Sequence, residues 1–430
     1  MKKTLLAALL LAATLGSCRE ANNRDSLDAI ARDYVLLSLT IGEKEEGYID
    51  AYYGPPELQA RAKSEAAGQS LGALAERTSA LTGRVAAQEG AAEGPELRRA
   101  RFLAAQLKAA ATRLRMMRGE KLSFEEEAEG LFGVRPVLKP LASYDPLLEK
   151  VEALVPGSGP LSDRVEAFQR RFTIPTDKLK PVFDAAIAEC KARTSRHIAL
   201  PQGERFELGF VTGKSWSGYN YYLGGYRSKI DINTDLPIRI SRAVDLGCHE
   251  GYPGHHVLNM LLEQRLVRER GWIEYSVYPL YSPQSLLAEG SANYGIELAF
   301  SGAEKLDYEV RALYPLAGLP TADAKRYAEL QEATRDLQNA RFTIASELLE
   351  GRIDEAEAVR LTQRYLLVSP ERARQLTDFT RQYRSYVINY GLGLDVVRAD
   401  VERFTTPAER WKRMEQLLSE PTLPSDLKGS

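Results

Sequence analysis

From Ser26 onward the apolar positions recur at helical steps. In "SLDAIARDYVLLSL", Leu27, Ile30, Tyr34 and Leu37 fall three and four residues apart, the spacing of one buried helix face. "DAYYGPPEL" interrupts the pattern with Gly54, Pro55 and Pro56, and Pro56 and Glu57 suit the first turn of a following helix. Residues 57 to about 118 are rich in Ala, Leu, Glu and Arg and predict two or three helices of a bundle or hairpin, with "AAQEGAAEGPE" as a loop between them. "SFEEEAEGLFG" opens another helix, with Ser123 as cap and Glu126 three residues on as a capping box. "SDRVEAFQRRF" and "PTDKLKPVFDAAIAECKART" continue the helical texture.

The texture then changes. "ERFELGFVTG", "WSGYNYYLGG" and "YRSKIDINTD" are short, aromatic or alternating, and bounded by glycines, which predicts three strands of a small antiparallel sheet. "LPIRISRAVDLGCHE" returns to helix, and nearly everything after it reads as helix to the end. No internal repeat or low-complexity stretch appears. The expectation is a mainly α chain with one small antiparallel β-sheet inserted before residue 248.

Composition adds bounds. At 430 residues, 44% hydrophobic and 27% charged, the chain has the balance of an ordinary globular protein. A formal net charge of −2 and the lack of a long basic stretch argue against a nucleic-acid partner. The N-terminus "MKKTLLAALLLAATLGSC" has the layout of a secretory leader: two lysines, a short apolar run, then small residues ending at Cys18. "LGSC" resembles the bacterial lipobox, which implies a lipid on Cys18 and attachment to the cell envelope; simple cleavage near Ser17 is the alternative. No later stretch has the ~18 uncharged apolar residues of a membrane span, so lipid would be the only anchor. The division expected is a leader over 1–17, a tether over 18–25 and one large domain over 26–430. That domain would have a helical part to about 200 and a second part from about 201. Cys190 and Cys248 make no disulfide framework, and free thiols are expected.

The candidate chemistry lies at "CHEGYPGHHVLN". Three of the chain's four histidines, His249, His255 and His256, fall within it, and Glu250 follows the first. The remaining one, His197, reads as a surface residue. The H-E-x-x-H pattern, which puts two imidazoles one turn apart on one helix face, is absent. In a regular helix His256 would lie about 20° from the face of His249 but roughly 10 Å along the axis, and His255 would be about 120° away. Pro253 and Gly254 bear on this, since proline removes a backbone donor and clashes with the preceding turn. A bulge or broken turn there brings His255 to the place that i+4 normally holds. "LLAEGSANYGIELAF" supplies a third ligand in Glu289, with Asn293 one turn on to orient a metal-bound imidazole. Glu250 is placed to take a proton from an attacking water. A surface histidine patch and a plain PGHH loop are the structural alternatives.

"HEGYPGHH" followed by "EGSANYG" resembles bacterial domain-of-unknown-function family 885, whose members carry H-E-x-x-P-G-H-H and a later E-G-x-A-x-Y segment and are regarded as candidate zinc metallopeptidases. The match runs through His249, Glu250, Pro253, Gly254, His255 and His256, then Glu289, Gly290, Ala292 and Tyr294. "NYGLG" at 389–393 and "LSFEEEAEGLFG" resemble flanking parts of that family. The chain departs from it at Asn259, near where a glutamine is usual, and at Ser291, where a tryptophan is usual. The Asp and His that usually follow the arginine aligned with Arg341 are also missing. The departures bear on substrate preference more than on metal binding. The resemblance implies one zinc ion per chain.

Other groups complete the picture. Tyr221, Tyr222 and Tyr226 suit a groove for an extended peptide, or ordinary cross-strand packing. Arg384, Tyr386 and Tyr390 offer donors for an oxyanion or a substrate carboxylate, or core packing, with Tyr390 preferred as the catalytic hydroxyl. The sequence thus points to a zincin-like helical metallohydrolase acting on peptide or small amide bonds. His249, His255 and Glu289 would hold zinc, Glu250 would be the base, and His256 would support the site or contact substrate. A hydrolase of non-peptide amides or esters, and a non-catalytic metal-holding envelope lipoprotein, are the alternatives. The sequence carries no signal for oligomeric state.

Overall fold

The structure, a computed structural model, describes residues 25–427; the leader and Cys18 lie outside them. The chain forms two compact units. Of the described residues, one comprises those up to Glu120 together with Leu266–Ser282, and the other comprises Lys121–Arg265 and those from Pro283 onward.

The first unit is a helical bundle. α1 (Leu27–Gly42) starts at Ser26, whose hydroxyl accepts from the Ala29 amide, and the four residues that mark its apolar face are all buried. α2 (Pro56–Ala66), α3 (Leu71–Glu89) and α4 (Gly94–Met117) follow as three separate helices. Two short strands that the sequence did not suggest, β1 (Ile49–Tyr52) and β5 (Val277–Pro279), pair antiparallel. Arg99 on α4 is buried and is matched by Glu274 in a two-pronged pair, Nε to Oε1 at 2.6 Å and Nη2 to Oε2 at 3.0 Å. That geometry satisfies a charge that would otherwise be costly to bury.

The second unit is also mainly helical. α5 (Phe124–Phe132) carries the expected capping box of Ser123 and Glu126, and α6 (Asp145–Leu154), α7 (Leu161–Arg170) and α8 (Leu179–Thr194) follow. Three strands come next, β2 (Arg205–Val211), β3 (Gly218–Gly224) and β4 (Arg227–Asn233). Their order is β2-β4-β3, with β4 antiparallel to β3 but parallel to β2. The sheet is therefore mixed, which corrects the antiparallel expectation. Gly225 and Tyr226, with φ of 65° and 60°, make a tight two-residue hairpin between the paired Gly224 of β3 and Arg227 of β4. The longer connection through 212–217 steps over the roughly 10 Å of two strand spacings and leaves room for β4 in the middle. β3 is thus an edge strand.

α9 (Ser241–Leu246) runs into a π-helical turn over Gly247–Gly251, and the chain breaks at 252–254 with a cis Tyr252–Pro253 bond before α10 (His255–Leu262) begins. The free thiols expected at Cys190 and Cys248 are corrected: the two form a disulfide, with Cα atoms 5.5 Å apart, that ties the π-turn to α8. They are 58 residues apart in sequence, so only the fold brings them together. α11 (Pro283–Ala299), α12 (Ala324–Arg335), α13 (Ala340–Leu349), α14 (Glu355–Leu366), α15 (Pro370–Tyr383) and α16 (Ile388–Val401) follow, and α17 (Pro407–Ser419) is the last long helix of the described chain.

α11 and α16 touch backbone to backbone. A Cβ on Gly290 would stand 2.3 Å from the Gly393 carbonyl oxygen, and one on Gly393 would stand 2.6 Å from that of Leu286. The glycines of "AEGSANYG" and "NYGLG" thus permit an approach that any side chain would block. It sets Glu289 on α11 against the aromatic residues that precede and open α16.

Candidate metal centre

The break before α10 turns His255 toward His249. Gly254 makes this possible: a Cβ there would stand 1.7 Å from the His249 carbonyl oxygen, and its amide donates to the Cys248 carbonyl at 3.0 Å. The His249 and His255 rings lie 4.7 Å apart, edge to face. Glu289 reaches both, with Oε2 3.1 Å from His249 Nε2 and Oε1 3.8 Å from His255 Nε2. The three side chains offer ligand atoms within 4.8 Å of one another, and no other such group of His, Cys, Asp or Glu occurs among the described residues. His256, the neighbour of His255, is not in the group.

Asn293 fixes the state of His249. Its Nδ2 donates to the Tyr390 carbonyl at 3.2 Å, so Oδ1 faces His249 Nδ1 at 3.0 Å. Nδ1 must then be the donor, and the Nε2 lone pair is left pointing at Glu289 Oε2, an acceptor that is buried and makes no hydrogen bond. Two buried acceptors facing each other at this distance need a positive charge between them, either a proton on Nε2 or a metal ion. Two imidazole nitrogens and a carboxylate are the donor set of a catalytic zinc site with an open position, so the residues fit the metal.

The electrostatics show how closely the three groups are coupled. Burial pulls the His249 pKa down, but the Glu289 carboxylate facing Nε2 and the charge of Glu250 outweigh it, and the net shift is upward, toward the protonated ring. His255 is lowered to about 4, by burial first; the Glu289 charge opposes the shift and His249 adds to it. It is therefore neutral, as a ligand must be. Burial pushes Glu289 up, yet His249, His255 and the Tyr386 hydroxyl together bring it below its ordinary value.

The remaining candidates sort by what they touch. Glu250 is buried, and its carbonyl accepts from Asn220 Nδ2 on β3 at 2.7 Å. Tyr386 donates to Glu289 Oε1 at 2.7 Å, so the hydroxyl on the metal group belongs to Tyr386, while the Tyr390 ring lies 6.0 Å from that of Tyr386. The Tyr390 pKa is pushed up by burial and then by Glu289, with Arg341 opposing. His256 is fully buried: Nε2 donates to Glu204 Oε2 at 2.9 Å and Nδ1 pairs with the Ser228 hydroxyl at 2.8 Å. It supports the start of α10 through Glu204 and Ser228. Tyr222 is also buried, its hydroxyl donating to Glu263 Oε2 at 2.5 Å. Arg384 is held by Glu127, Nε to Oε2 at 2.8 Å. His197 is exposed and stacks on Trp411.

Glu204 escaped sequence reasoning. It accepts from His256, from Tyr252 at 2.5 Å and from Lys191 at 2.5 Å, and so ties the broken turn to the sheet entry and α8. A single acid in a loop, 48 and 52 residues from Tyr252 and His256, leaves no local signal.

No protein-family model matches the chain, and no curated protein matches it. Among solved structures the chain is similar to "the putative lipoprotein from Colwellia psychrerythraea", at a TM-score of 0.52 and 13% identity over 87% of this chain and 75% of that one. The BsuCP crystal structure superimposes at a TM-score of 0.45 and 13% identity, covering 91% and 87% of the two chains. The M32 carboxypeptidase from Deinococcus radiodurans R1 does so at 0.36 and 16%, covering 91% and 88%. At these identities the first shows a shared fold and nothing more.

Proposed function

We propose that the chain is a zinc-dependent hydrolase that cleaves peptide bonds. One observation carries the reading: the His249 Nε2 lone pair and the orphaned Glu289 Oε2 face each other at 3.1 Å, with His255 Nε2 completing the set. The zinc would be held by His249, His255 and Glu289. When bound it supplies Lewis acidity, polarising the scissile carbonyl and lowering the pKa of the attacking water.

The chain's own residues do the rest. Glu250, adjacent to His249 and steadied by Asn220 on its carbonyl, takes the proton from the attacking water and delivers it to the leaving amine. Asn293 keeps the His249 tautomer correct, and Tyr386 holds the Glu289 carboxylate in place. Tyr390 is the hydroxyl assigned to the developing oxyanion. β3 is an outer strand of its sheet and lies beside Glu250, a position that suits an extended peptide backbone.

The test pairs metal analysis with cleavage of a peptide library. Glu250→Gln should retain zinc and lose about 10²–10⁴ in rate. Turnover at the wild-type rate in that variant sinks Glu250 as the base.

We assign the protein to the bacterial cell envelope, anchored by lipid on Cys18. "LGSC" supports this, as does the Cys190–Cys248 disulfide, since such bonds persist in oxidising compartments. No described helix is long and apolar enough to cross a membrane. Mass spectrometry of the mature N-terminus checks it: an acylated Cys18 is expected, and an unmodified terminus beyond it refutes the assignment.

A further inference from the structure

Two half-buried arginines of the second unit lack the carboxylate partner that arginines away from solvent ordinarily have. Arg341, at the start of α13, donates from Nη2 to the Leu376 carbonyl at 3.4 Å and lies over the Phe379 ring at 5.0 Å. Its Nε is buried without a hydrogen-bond partner. Arg372 on α15 donates to Gln375 Oε1 at 2.5 Å and to the Ser217 hydroxyl at 3.1 Å. No carboxylate pairs with either one among the described residues, whereas the nearby Arg239 and Arg242 are matched by Glu166 and Asp245. The cost shows in their acidity. Burial first, with Tyr390 opposing, brings Arg341 down to about 10. Burial and then the positive charges of Arg242, Arg341 and Arg239 bring Arg372 down to about 9. Two neighbouring guanidinium groups kept without a counter-charge destabilise a fold unless something anionic joins them.

Both connect to the metal group through chains of contacts. Phe379, under Arg341, is 6.1 Å from the Tyr390 ring, and Tyr390 packs on Tyr386, which holds Glu289. Ser217, held by Arg372, precedes Gly218, which lies against Glu250. These contacts put both arginines in the surroundings of Glu250 and Glu289. Both side chains keep partial exposure, so the place can be reached. Arg384, the sequence's candidate for this task, is taken by Glu127.

We propose that Arg341 and Arg372 together bind the C-terminal carboxylate of a peptide substrate, so that the enzyme removes residues from the C-terminal end. Paired guanidinium forks match a carboxylate, and burial raises the strength of each contact. The proposal rests on the hydrolase reading for the cleavage and on the arginine pair alone for the binding.

Calorimetry on the zinc-loaded protein tests the binding without turnover. N-acetylphenylalanine should bind at least about tenfold tighter than its amide. Arg341→Met and Arg372→Met should each bring that ratio near one, with zinc content unchanged and the melting temperature level or higher, because an uncompensated charge is removed. Equal binding of acid and amide by the wild type, no binding of either at millimolar concentration, or a preference that survives both substitutions overturns the proposal. So does a short amidated peptide ending in glutamate that binds as tightly as the free acid, since the carboxylate recognised would then be a side chain. A failure of the hydrolase reading looks different: the acid is preferred, and no peptide is cleaved.

Discussion

Gly218 at the head of β3 lies against Glu250 with no space for a side chain; a Cβ there would stand 2.7 Å from Glu250 Oε1 and 3.1 Å from Leu246 Cδ2. The edge strand and the proposed base therefore constrain each other. Gly218→Ala should push the carboxylate away from its working position while leaving His249, His255 and Glu289 untouched. Displacement of a reacting group by about 1 Å costs up to about 10² in rate. The expected result is a fall of that order in kcat with zinc content at the wild-type level. An unchanged kcat would mean that the Glu250 carboxylate relaxes without consequence.

The two adjacent histidines should behave oppositely. His255→Ala removes a ligand atom from the metal group, so zinc content should drop sharply while the fold survives. His256→Ala leaves the buried Glu204 short of one donor and Ser228 short of a partner, at a cost of about 1–3 kcal/mol. Its loss should appear in chemical denaturation, with zinc still bound after gentle preparation. Zinc loss in His256→Ala that exceeds the loss in His255→Ala would reverse the assignment of the ligands.

What the sequence made legible follows from distance along the chain. Features with partners within a few residues were readable: the apolar face of α1, the capping box of α5 and the break at Pro253–Gly254 that turns His255 inward. Asn293, one turn beyond Glu289, was readable for the same reason. Illegible features depend on the tertiary fold. The parallel pairing of β2 with β4 is set by which strand fills the middle place, and each strand's alternation is the same in either arrangement. The Cys190–Cys248 bridge requires α8 to pack on the π-turn. Glu204, Arg341 and Arg372 have no periodicity to betray them; their meaning lies in what stands nearby, or in the carboxylate that does not.

The disulfide gives a third expectation. It closes a loop between α8 and the turn that carries His249, and a bridge spanning 58 residues stabilises by about 4 kcal/mol in the chain-entropy account. Replacing both cysteines with alanine should lower the denaturation midpoint by an amount of that order. It should also weaken zinc binding, because Cys248 adjoins His249. A reductant should do the same to the wild type and nothing further to the double variant. A wild-type midpoint indifferent to reductant would show that the bridge contributes nothing to stability.

The last expectation concerns acid. Burial raises the Glu204 pKa, but the donors from His256, Lys191 and Tyr252 outweigh it and bring the carboxyl to about 2, against an ordinary 4.5. A folded-state pKa below the unfolded one means that the group contributes stability fully above about pH 4.5 and loses it as pH falls toward 2. With Glu204 almost wholly buried, at 5% side-chain exposure, that contribution is on the order of 3 kcal/mol. Glu204→Gln keeps the shape and removes the charge, so it should be less stable than wild type at pH 7. Urea denaturation of both proteins at pH 7, 4.5 and 3 isolates the effect, because every other carboxylate is common to the pair. The gap in stability should hold from pH 7 to about 4.5 and then narrow. A gap that stays constant to pH 3 would show that the carboxylate's charge is not what Tyr252, His256 and Lys191 depend on. The broken turn ahead of His255 would then be held by packing instead.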